Sequence, residues 1–316
     1  MTENRPDGSA PDGWAYLMLF IAPVLMASNM LAARWIEGSI PAVSLAFWRW
    51  ALTLVVLAPF VAGGLWRRRA LLAAEWRTVL VLGALGMGVC GPPVYLGAQT
   101  TTATNIGMIY ASTPILIVLL ARLFWGAPVS PTKAAGIALC LAGVVTIIAR
   151  GDPSVLLSLS FAPGDLWIVF AALGWALYSV LLRYRPSRLP LTERFAAIVL
   201  GGVVCMLPFY AAEMALGHWP PATLETAGIM VFLALVPGLA AYLLYGRLVA
   251  QLGAQRTGML MYLVPLYNAG LAYLLLAEMP QLFHVAGAAL ILPGLYLATR
   301  SEPAPAPAAL DRAAAD

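Results

Sequence analysis

Long apolar stretches follow one another along almost the whole chain, separated by short segments that hold most of the charged residues. A helix needs about 20 mainly apolar residues to cross the hydrocarbon core of a bilayer. Ten stretches approach or exceed this length, at residues 14–36, 42–64, 78–97, 103–124, 134–149, 165–184, 191–214, 227–249, 257–277 and 283–299. Backbone groups in lipid must be satisfied within their own segment, so each stretch predicts a helix. The predicted fold class is all-α integral membrane, with ten transmembrane helices.

Composition supports a chain that faces lipid. Hydrophobic residues make up 62% of the sequence and charged residues 10%, with a mean hydropathy of +0.86. Soluble domains carry about 25% charged residues, because their surface must face water. The pI of 9.1 reflects 18 basic residues that do not form a cationic face, so nucleic acid is not an expected partner. The expected surroundings are a lipid bilayer.

The basic residues orient the predicted helices. Most of the 18 lie in the links between spans two and three, four and five, six and seven, and eight and nine, or in the two tails. The positive-inside rule therefore puts both termini in the cytoplasm, for a multi-pass protein of the plasma (inner) membrane. Residues 1–13 form a cytoplasmic N-terminal tail. Residues 301–316, rich in proline and alanine, form a C-terminal tail that we expect to be disordered.

The chain repeats itself at an offset of 151 residues. Matching patterns are Gly107-x6-Pro114 with Gly258-x6-Pro265, and Gly136-x6-Gly143 with Gly287-x6-Gly294. The repeats cover residues 14–150 and 164–300, with five predicted helices each. Because five is odd, the second repeat enters the membrane from the opposite side. Two inverted five-helix repeats around a central cavity are characteristic of secondary transporters.

The sequence also resembles a known family. The segments GMIYASTPILIVLLARLFWG and AAGIALCLAGVV, with their echoes GMLMYLVPLYNAGLAYLLLAE and VAGAALILPGLYLA, resemble the EamA domains of the drug/metabolite transporter superfamily over residues 14–299. The resemblance implies a ten-helix carrier in which the fifth helix of each half lies outside the cavity. Members usually carry an acidic residue at the end of the fourth span of a half. Glu278 keeps it, whereas the first half has Ala127.

Aromatic and amide side chains gather on spans one, three, four, six, eight and nine. Tyrosine and tryptophan near helix ends usually form the interfacial belt. An amide deep in the membrane, however, needs a polar partner. We therefore predict that the substrate cavity is lined by Asn29, Tyr95, Gln99, Tyr110, Trp175, Tyr178, Tyr242, Tyr245, Tyr262, Tyr267 and Asn268.

Prolines interrupt several spans at corresponding positions of the two halves. Proline removes an amide donor and clashes with the preceding turn of a helix. Such breaks are either packing kinks or parts of a cavity wall and hinges. The predicted hinge or kink residues are Pro92, Pro93, Pro114, Pro237 and Pro265.

Arg49 is the basic residue furthest inside a predicted span, seven positions after Ala42 and roughly 10 Å from the outer end. It could snorkel to the external surface, or pair with Glu37, or attract a substrate carboxylate. Its counterpart in the repeat, Arg194, lies near the cytoplasmic end, which favours a structural role for Arg49.

Titratable groups give little support to an enzyme or an ion-coupled pump. No acidic residue lies at the predicted midplane, where proton-coupled carriers commonly place one. Cys90, Cys140 and Cys205 lie in apolar runs without a histidine nearby, so neither a metal nor a cofactor is expected. No nucleotide motif is present. The small-residue faces of spans five and ten suit helix packing or a dimer contact. A homodimer is compatible with them, although a monomer is sufficient.

The preferred function is export of amino acids by alternating access without ion coupling. A wall of aromatic side chains with a few amides suits a zwitterion with an apolar side chain. Within the family, aromatic amino-acid exporters of the YddG type share this architecture and are the preferred comparison. Threonine and homoserine exporters are the second choice. A carrier for drugs, nucleosides or a lipid-linked intermediate is the alternative. An integral membrane enzyme is the alternative from another class, and it lacks the clustered titratable groups that such an enzyme needs.

Overall fold

The computed structural model describes residues 13–35, 39–101, 106, 109–149, 152, 154–157, 162–267 and 281–299. Its helices in the first half are α1 (Gly13–Trp35), α2 (Ala42–Arg67), α3 (Arg69–Gly83), the π-helix π1 (Ala84–Val89), α4 (Pro92–Ala98), α5 (Thr113–Trp125) and α6 (Pro131–Ile148). A short helix α7 (Ser154–Leu157) follows. The second half holds α8 (Pro163–Tyr184), α9 (Leu191–Ala215), α10 (Leu224–Leu233), π2 (Ala234–Ala240), α11 (Ala241–Leu252), α12 (Ala254–Gly258), a 3₁₀ turn (Met259–Leu263) and α13 (Leu282–Thr299).

The described residues are helical and contain no strand, which confirms the all-α membrane class. Within the described part of the chain, seven helices are long and apolar enough to cross a membrane. They span Ala42–Arg67, Arg69–Ala98, Pro131–Ile148, Pro163–Tyr184, Leu191–Ala215, Leu224–Leu252 and Leu282–Thr299. Shorter apolar helices at Leu17–Asn29 and Ile109–Trp125 correspond to two further predicted spans. The ninth span runs beyond the described residues, so the count of ten stays a prediction.

The link between spans two and three is shorter than the hydrophobic pattern suggested. The apolar stretches leave residues 65–77 as a polar connection, yet α2 continues to Arg67 and α3 begins at Arg69. The intervening alanine, leucine, glutamate, tryptophan and arginine residues tolerate a helix well. The apolar stretches end where charged residues begin, whereas the helices α2 and α3 continue beyond the hydrocarbon core.

The glycine pairs of the fifth and tenth predicted spans pack against each other. A Cβ atom on Gly136 would lie 2.7 Å from the carbonyl oxygen of Gly294, and one on Gly143 would lie 2.7 Å from that of Gly287. The earlier glycine of α6 contacts the later glycine of α13, and the later one contacts the earlier, so the two helices are antiparallel. Gly136 therefore faces Gly294, the repeat counterpart of Gly143, and Gly143 faces Gly287, the repeat counterpart of Gly136. This pairing relates the two helices by a pseudo-twofold axis, the symmetry that inverted repeats have.

A second antiparallel pair, α2 with α9, brings carboxylates to both ends. At the end that the charge pattern places outside, Glu213 accepts hydrogen bonds from the Ser44 amide and hydroxyl, both at 2.6 Å, and so caps α2. At the opposite end Arg68 and Glu193 form an ion pair at 2.6 Å. A carboxylate at a helix N-terminus satisfies orphan amides and the helix dipole. These contacts fix the helix pair that carries Arg49.

Candidate functional site

Arg49 is buried in the core of the described bundle, where only 3% of its surface is exposed. Its guanidinium donates to Asn29 Oδ1 at 3.0 Å and to the carbonyl oxygen of Pro237 at 2.9 Å, and it lies 3.5 Å from the Tyr95 hydroxyl. The guanidinium carbon of Arg49, Cζ, lies 4.7 Å from the centre of the Trp50 ring. The side chain therefore points into the protein rather than snorkelling to the external surface.

All hydrogen-bond partners of Arg49 in the described part of the chain are neutral. Its Nε atom is buried there without a partner. Glu37, the acid considered as a partner from the sequence, lies outside the described residues. Removing a guanidinium from water costs several kcal/mol unless an anion compensates it. An unpaired buried cation of this kind is a ready site for a carboxylate.

Aromatic rings form a continuous cluster beside Arg49. Tyr242 stands edge-on to Trp50, with ring centres 4.7 Å apart, and edge-on to Trp175 at 5.4 Å. Trp175 also contacts Tyr245 at 4.7 Å and Tyr178 at 5.6 Å. Four of the residues predicted from the sequence thus come together in one place. In the conformation described, their rings pack against one another.

A buried hydroxyl pair holds the inner side of this cluster. The oxygens of Ser179 and Tyr245 lie 2.6 Å apart, and the Ser179 hydroxyl is also 2.7 Å from the carbonyl oxygen of Trp175. The indole nitrogens of Trp50 and Trp175 are buried without a partner among the described residues. An unsatisfied buried donor is costly. The cluster therefore offers donors that a bound polar group could satisfy.

Two π-helices shape the backbone around the cluster. In π2 the Ala241 amide bonds to the oxygen of Val236, five residues back, which leaves Pro237 O available to Arg49. In π1 the carbonyl oxygen of Gly86 accepts a hydrogen bond of 3.0 Å from the Tyr242 hydroxyl. Single-turn π segments occur frequently at functional sites. Here side chains from other helices satisfy the freed carbonyls.

The proline positions coincide with interruptions of the helices. Pro92 and Pro93 begin α4 directly after π1, and Pro237 lies inside π2. Pro114 stands in the first turn of α5, and Pro265 follows the 3₁₀ turn. Their role as hinges stays a prediction.

The end of the cluster that the charge pattern places outside is closed by a contact between α4 and α8. Gly97 and Gly164 touch through their backbones, since a Cβ on Gly97 would lie 2.9 Å from Gly164 O. Next to them the Thr101 hydroxyl bonds to Asp165, whose carboxylate also accepts from the Ala162 amide at 2.8 Å. Among the described residues, α4 and α8 are therefore in direct contact at this end.

Other predicted cavity residues lie apart from the aromatic cluster. Gln99 is exposed at the end of α4. Tyr262 is fully buried near Cys140 of α6, with a hydroxyl that has no partner in the described region. Tyr267 is half-buried. Tyr110, also half-buried, is the exception, because it lies near Arg49, Tyr95 and the Tyr242 of the cluster. Asn268 lies outside the described residues, as does Glu278.

Sequence reasoning missed several contributors to the site. Trp50 was not singled out, although it lies directly after Arg49 and is 1% exposed. Thr53, one turn later, lies 3.0 Å from the carbonyl oxygen of Ala234 in π2. The position of Thr53 one helical turn after Arg49 was the signal that could have identified it from the sequence. The π-helices themselves have no such signal beyond the glycines and prolines nearby.

Comparisons with known proteins agree with this architecture. The pattern of the EamA-like transporter family matches residues 13–149 and again residues 162–300. The uncharacterized transporter YyaM of Bacillus subtilis (strain 168) is 24% identical over 292 residues, covering 90% of this chain and 93% of that protein. A protein of known crystal structure superposes with a TM-score of 0.72 at 23% identity, covering 90% of this chain and 96% of its own, which shows a shared fold.

Two relatives carry names that mention a cargo. A probable terminal-alkyne amino-acid exporter of Streptantibioticus cattleyicolor is 26% identical, covering 79% of this chain and 82% of that protein. A probable amino-acid metabolite efflux pump of Salmonella typhimurium is 26% identical, covering 52% of this chain and 56% of that protein.

Proposed function

The chain belongs to the EamA-like transporter family, and from that premise we propose that it exports amino acids with an apolar or aromatic side chain, by alternating access. Its relatives are transporters, so it is a transporter and not an enzyme. Seven apolar helices make it a multi-pass membrane protein. Within the proposal, it resides in the plasma (inner) membrane with both termini in the cytoplasm.

The observation that carries the proposed cargo is the guanidinium of Arg49, which has no charged partner among the described residues. Its described partners are an amide oxygen, a hydroxyl and a backbone carbonyl, none of which neutralises the charge. A substrate carboxylate would supply the missing anion, and charge-assisted bonds of this type are about twice as strong as neutral ones. The printed names of two relatives, which mention amino acids, support the same class of cargo.

The aromatic cluster would receive the side chain of the substrate. Trp50, Trp175 and Tyr242 offer ring faces and edges within reach of Arg49. Aromatic pairs contribute about 0.5–1.5 kcal/mol beyond the area they bury. For a substrate to enter, the rings must move apart, since they contact one another in this conformation. The proposed cycle therefore exchanges ring-to-ring contacts for ring-to-substrate contacts.

We further propose that transport is not coupled to protons. Of the acidic residues that the structure describes in helices, four lie close to a helix end, namely Asp165, Glu193, Glu213 and Glu225. Glu75 lies in the part of α3 that precedes the apolar stretch of the third span. None of these stands beside the aromatic cluster. A carrier of this kind moves its cargo down whichever gradient exists. The two repeats, at residues 14–150 and 164–300, would rock about a site between them. A monomer suffices for that motion.

Uptake into proteoliposomes with a panel of radiolabelled amino acids tests the function. We expect accumulation of phenylalanine, tyrosine, tryptophan or leucine in exchange for internal substrate, with the same rate whether or not a pH gradient is imposed. Empty liposomes provide the baseline. If no amino acid accumulates while a nucleoside or a cationic drug does, the alternative cargo replaces the proposed one. Strong stimulation by a proton gradient would overturn the uncoupled mechanism alone.

A further inference from the structure

A narrow crevice enters the protein between α8, α9 and α11, on the side that the charge pattern places in the cytoplasm. Its wall is formed largely by apolar and aromatic side chains, with one cation and one glycine: Tyr178, Leu182, Phe195, Tyr242, Arg194 and Gly246. A Cβ on Gly246 would meet only Leu191 Cδ1, at an ordinary 3.6 Å. In this conformation the space admits about one water molecule. A solute would need α9 and α11 to separate slightly.

The inner end of the crevice is the aromatic cluster itself. Tyr242 lines the crevice and also contacts Trp50, whose ring lies under the Arg49 guanidinium. Tyr178 lines it as well and packs against Trp175. A solute that moved along this wall would therefore reach the rings that separate the crevice from Arg49. The crevice leads from the cytoplasmic ends of three helices to the candidate site.

Arg194 is held in place at the mouth. One of its terminal nitrogens donates to the carbonyl oxygens of Leu182 at 3.2 Å and Arg185 at 2.6 Å, both at the end of α8. Within the described residues it forms no ion pair. The acid in its neighbourhood, Glu75, accepts hydrogen bonds from Ser187 and the Arg188 amide instead. Arg194 therefore presents net positive charge beside an apolar wall.

We propose that this crevice is the cytoplasmic vestibule for amphipathic solutes that carry a carboxylate, and that Arg194 selects for that carboxylate there before Arg49 binds it. This inference rests on the proposed function for the identity of the cargo. The same chemistry, a negative group next to an apolar body, also describes an acidic lipid headgroup. We favour the soluble carboxylate because the crevice ends at Tyr178 and Tyr242 of the aromatic cluster, and Tyr242 packs on the Trp50 ring that lies under Arg49.

Thiol labelling tests the vestibule without reference to any amino acid. Leu243, which also lines the crevice, is changed to cysteine in a variant whose Cys90, Cys140 and Cys205 are replaced by alanine. Inside-out vesicles are treated with an anionic or a cationic methanethiosulfonate reagent. We expect faster labelling by the anionic reagent. Arg194→Gln should lower the anionic-to-cationic rate ratio roughly tenfold, since one nearby charge is lost.

Two matched variants separate charge from structure. Arg194→Lys keeps the positive charge but not the hydrogen bonds from one guanidinium nitrogen to two carbonyl oxygens. This variant should keep most of the anionic-to-cationic rate ratio. Arg247→Gln removes an exposed arginine next to Gly246, outside the crevice, and should leave the ratio unchanged. Absence of labelling at residue 243, or a ratio that Arg194→Gln does not alter, would overturn the vestibule. Both outcomes are independent of whether amino acids are the cargo.

A lipid arm and a transport arm complete the test. Labelling is repeated in vesicles of phosphatidylcholine alone and with added phosphatidylglycerol. If Arg194→Gln changes the labelling ratio only when phosphatidylglycerol is present, the crevice binds a lipid headgroup, and the solute proposal is overturned. For transport, Arg194→Gln should raise the KM for substrate offered from the cytoplasmic side roughly tenfold, with the KM from the other side unchanged. Equal KM changes from both sides would contradict a vestibule role.

Discussion

The carbonyl oxygens of Gly86 and Pro237 lie at equivalent positions of the two repeats, 151 residues apart, and each accepts a hydrogen bond from a side chain of a different helix. Tyr242 donates to Gly86, and Arg49 donates to Pro237. Both acceptors lie in π-helical turns. The two interrupted helices are thus tied to the aromatic cluster and to Arg49, so that a rearrangement at the site would alter the backbone at both positions.

The tie at Gly86 can be removed with little change in volume. Tyr242→Phe keeps the ring contacts but leaves the Gly86 carbonyl without its partner. We expect the free energy of unfolding in detergent to fall by about 1–3 kcal/mol. Tyr296→Phe, at a tyrosine that is 63% exposed, is the control and should change little. Equal stability of both variants and the native chain would show that the bond is not formed.

The glycine contact between α6 and α13 should be sensitive to volume. In Gly143→Val the new side chain would begin 2.7 Å from the carbonyl oxygen of Gly287, so the helices must separate. We expect a loss of about 1–3 kcal/mol of stability, the usual effect of overpacking. Gly228→Ala provides the matched control, because a Cβ there meets nothing within 4 Å. An unchanged Tm for Gly143→Val would argue against this helix pairing.

The closed outer end predicts a shift in conformation. Gly164→Ala places a methyl group against Thr100 and the backbone of Gly97, and should push α4 away from α8. We expect faster labelling from the outside of a cysteine introduced at Ala98, in a background without native cysteines. Gly217→Ala serves as a control at a surface position open to solvent, though its positive φ of 82° adds local strain. Labelling that does not respond to Gly164→Ala would mean that this contact is not the seal.

Arg49 should separate stability from transport. Arg49→Met removes a buried charge, which favours folding, but it also leaves Asn29 Oδ1 and the Pro237 carbonyl without their donor, which disfavours it. Because the two effects oppose each other, we expect only a small change in Tm, while transport falls at least tenfold since the carboxylate loses its charged partner. The exposed Arg247→Gln controls for the loss of one positive charge. A variant that lost stability and transport together would support a purely structural arginine.

The sequence predicted the membrane class and the antiparallel relation of the repeats because apolar length, charge position and glycine spacing report on lipid and on close helix contact directly. Gly136 and Gly143 were interpreted as packing residues, and they pack against Gly294 and Gly287 of the other repeat. The helix ends were less accurate. Helical residues outside the hydrocarbon core, such as Glu75 in α3, carry no apolar signal.

The site was predicted only in part, for a physical reason. The depth of Trp175, Tyr178, Tyr242 and Tyr245 could be estimated from helix position, and these four meet in one cluster. Which face of a buried helix points inward could not, because such helices are apolar all round. The sequence favoured a structural role for Arg49, whereas its burial on the cluster, with neutral partners, makes it the proposed carboxylate site.

The most direct measurement compares binding of L-phenylalanine and of L-phenylalaninol, which lacks the carboxylate, to the purified protein by isothermal titration calorimetry. We expect the native chain to bind phenylalanine at least tenfold more tightly than the alcohol. Arg49→Gln should remove this difference while binding of the alcohol is unchanged. Equal affinity of the native chain for the two compounds, or a preference that survives in Arg49→Gln, would contradict recognition of the carboxylate by Arg49.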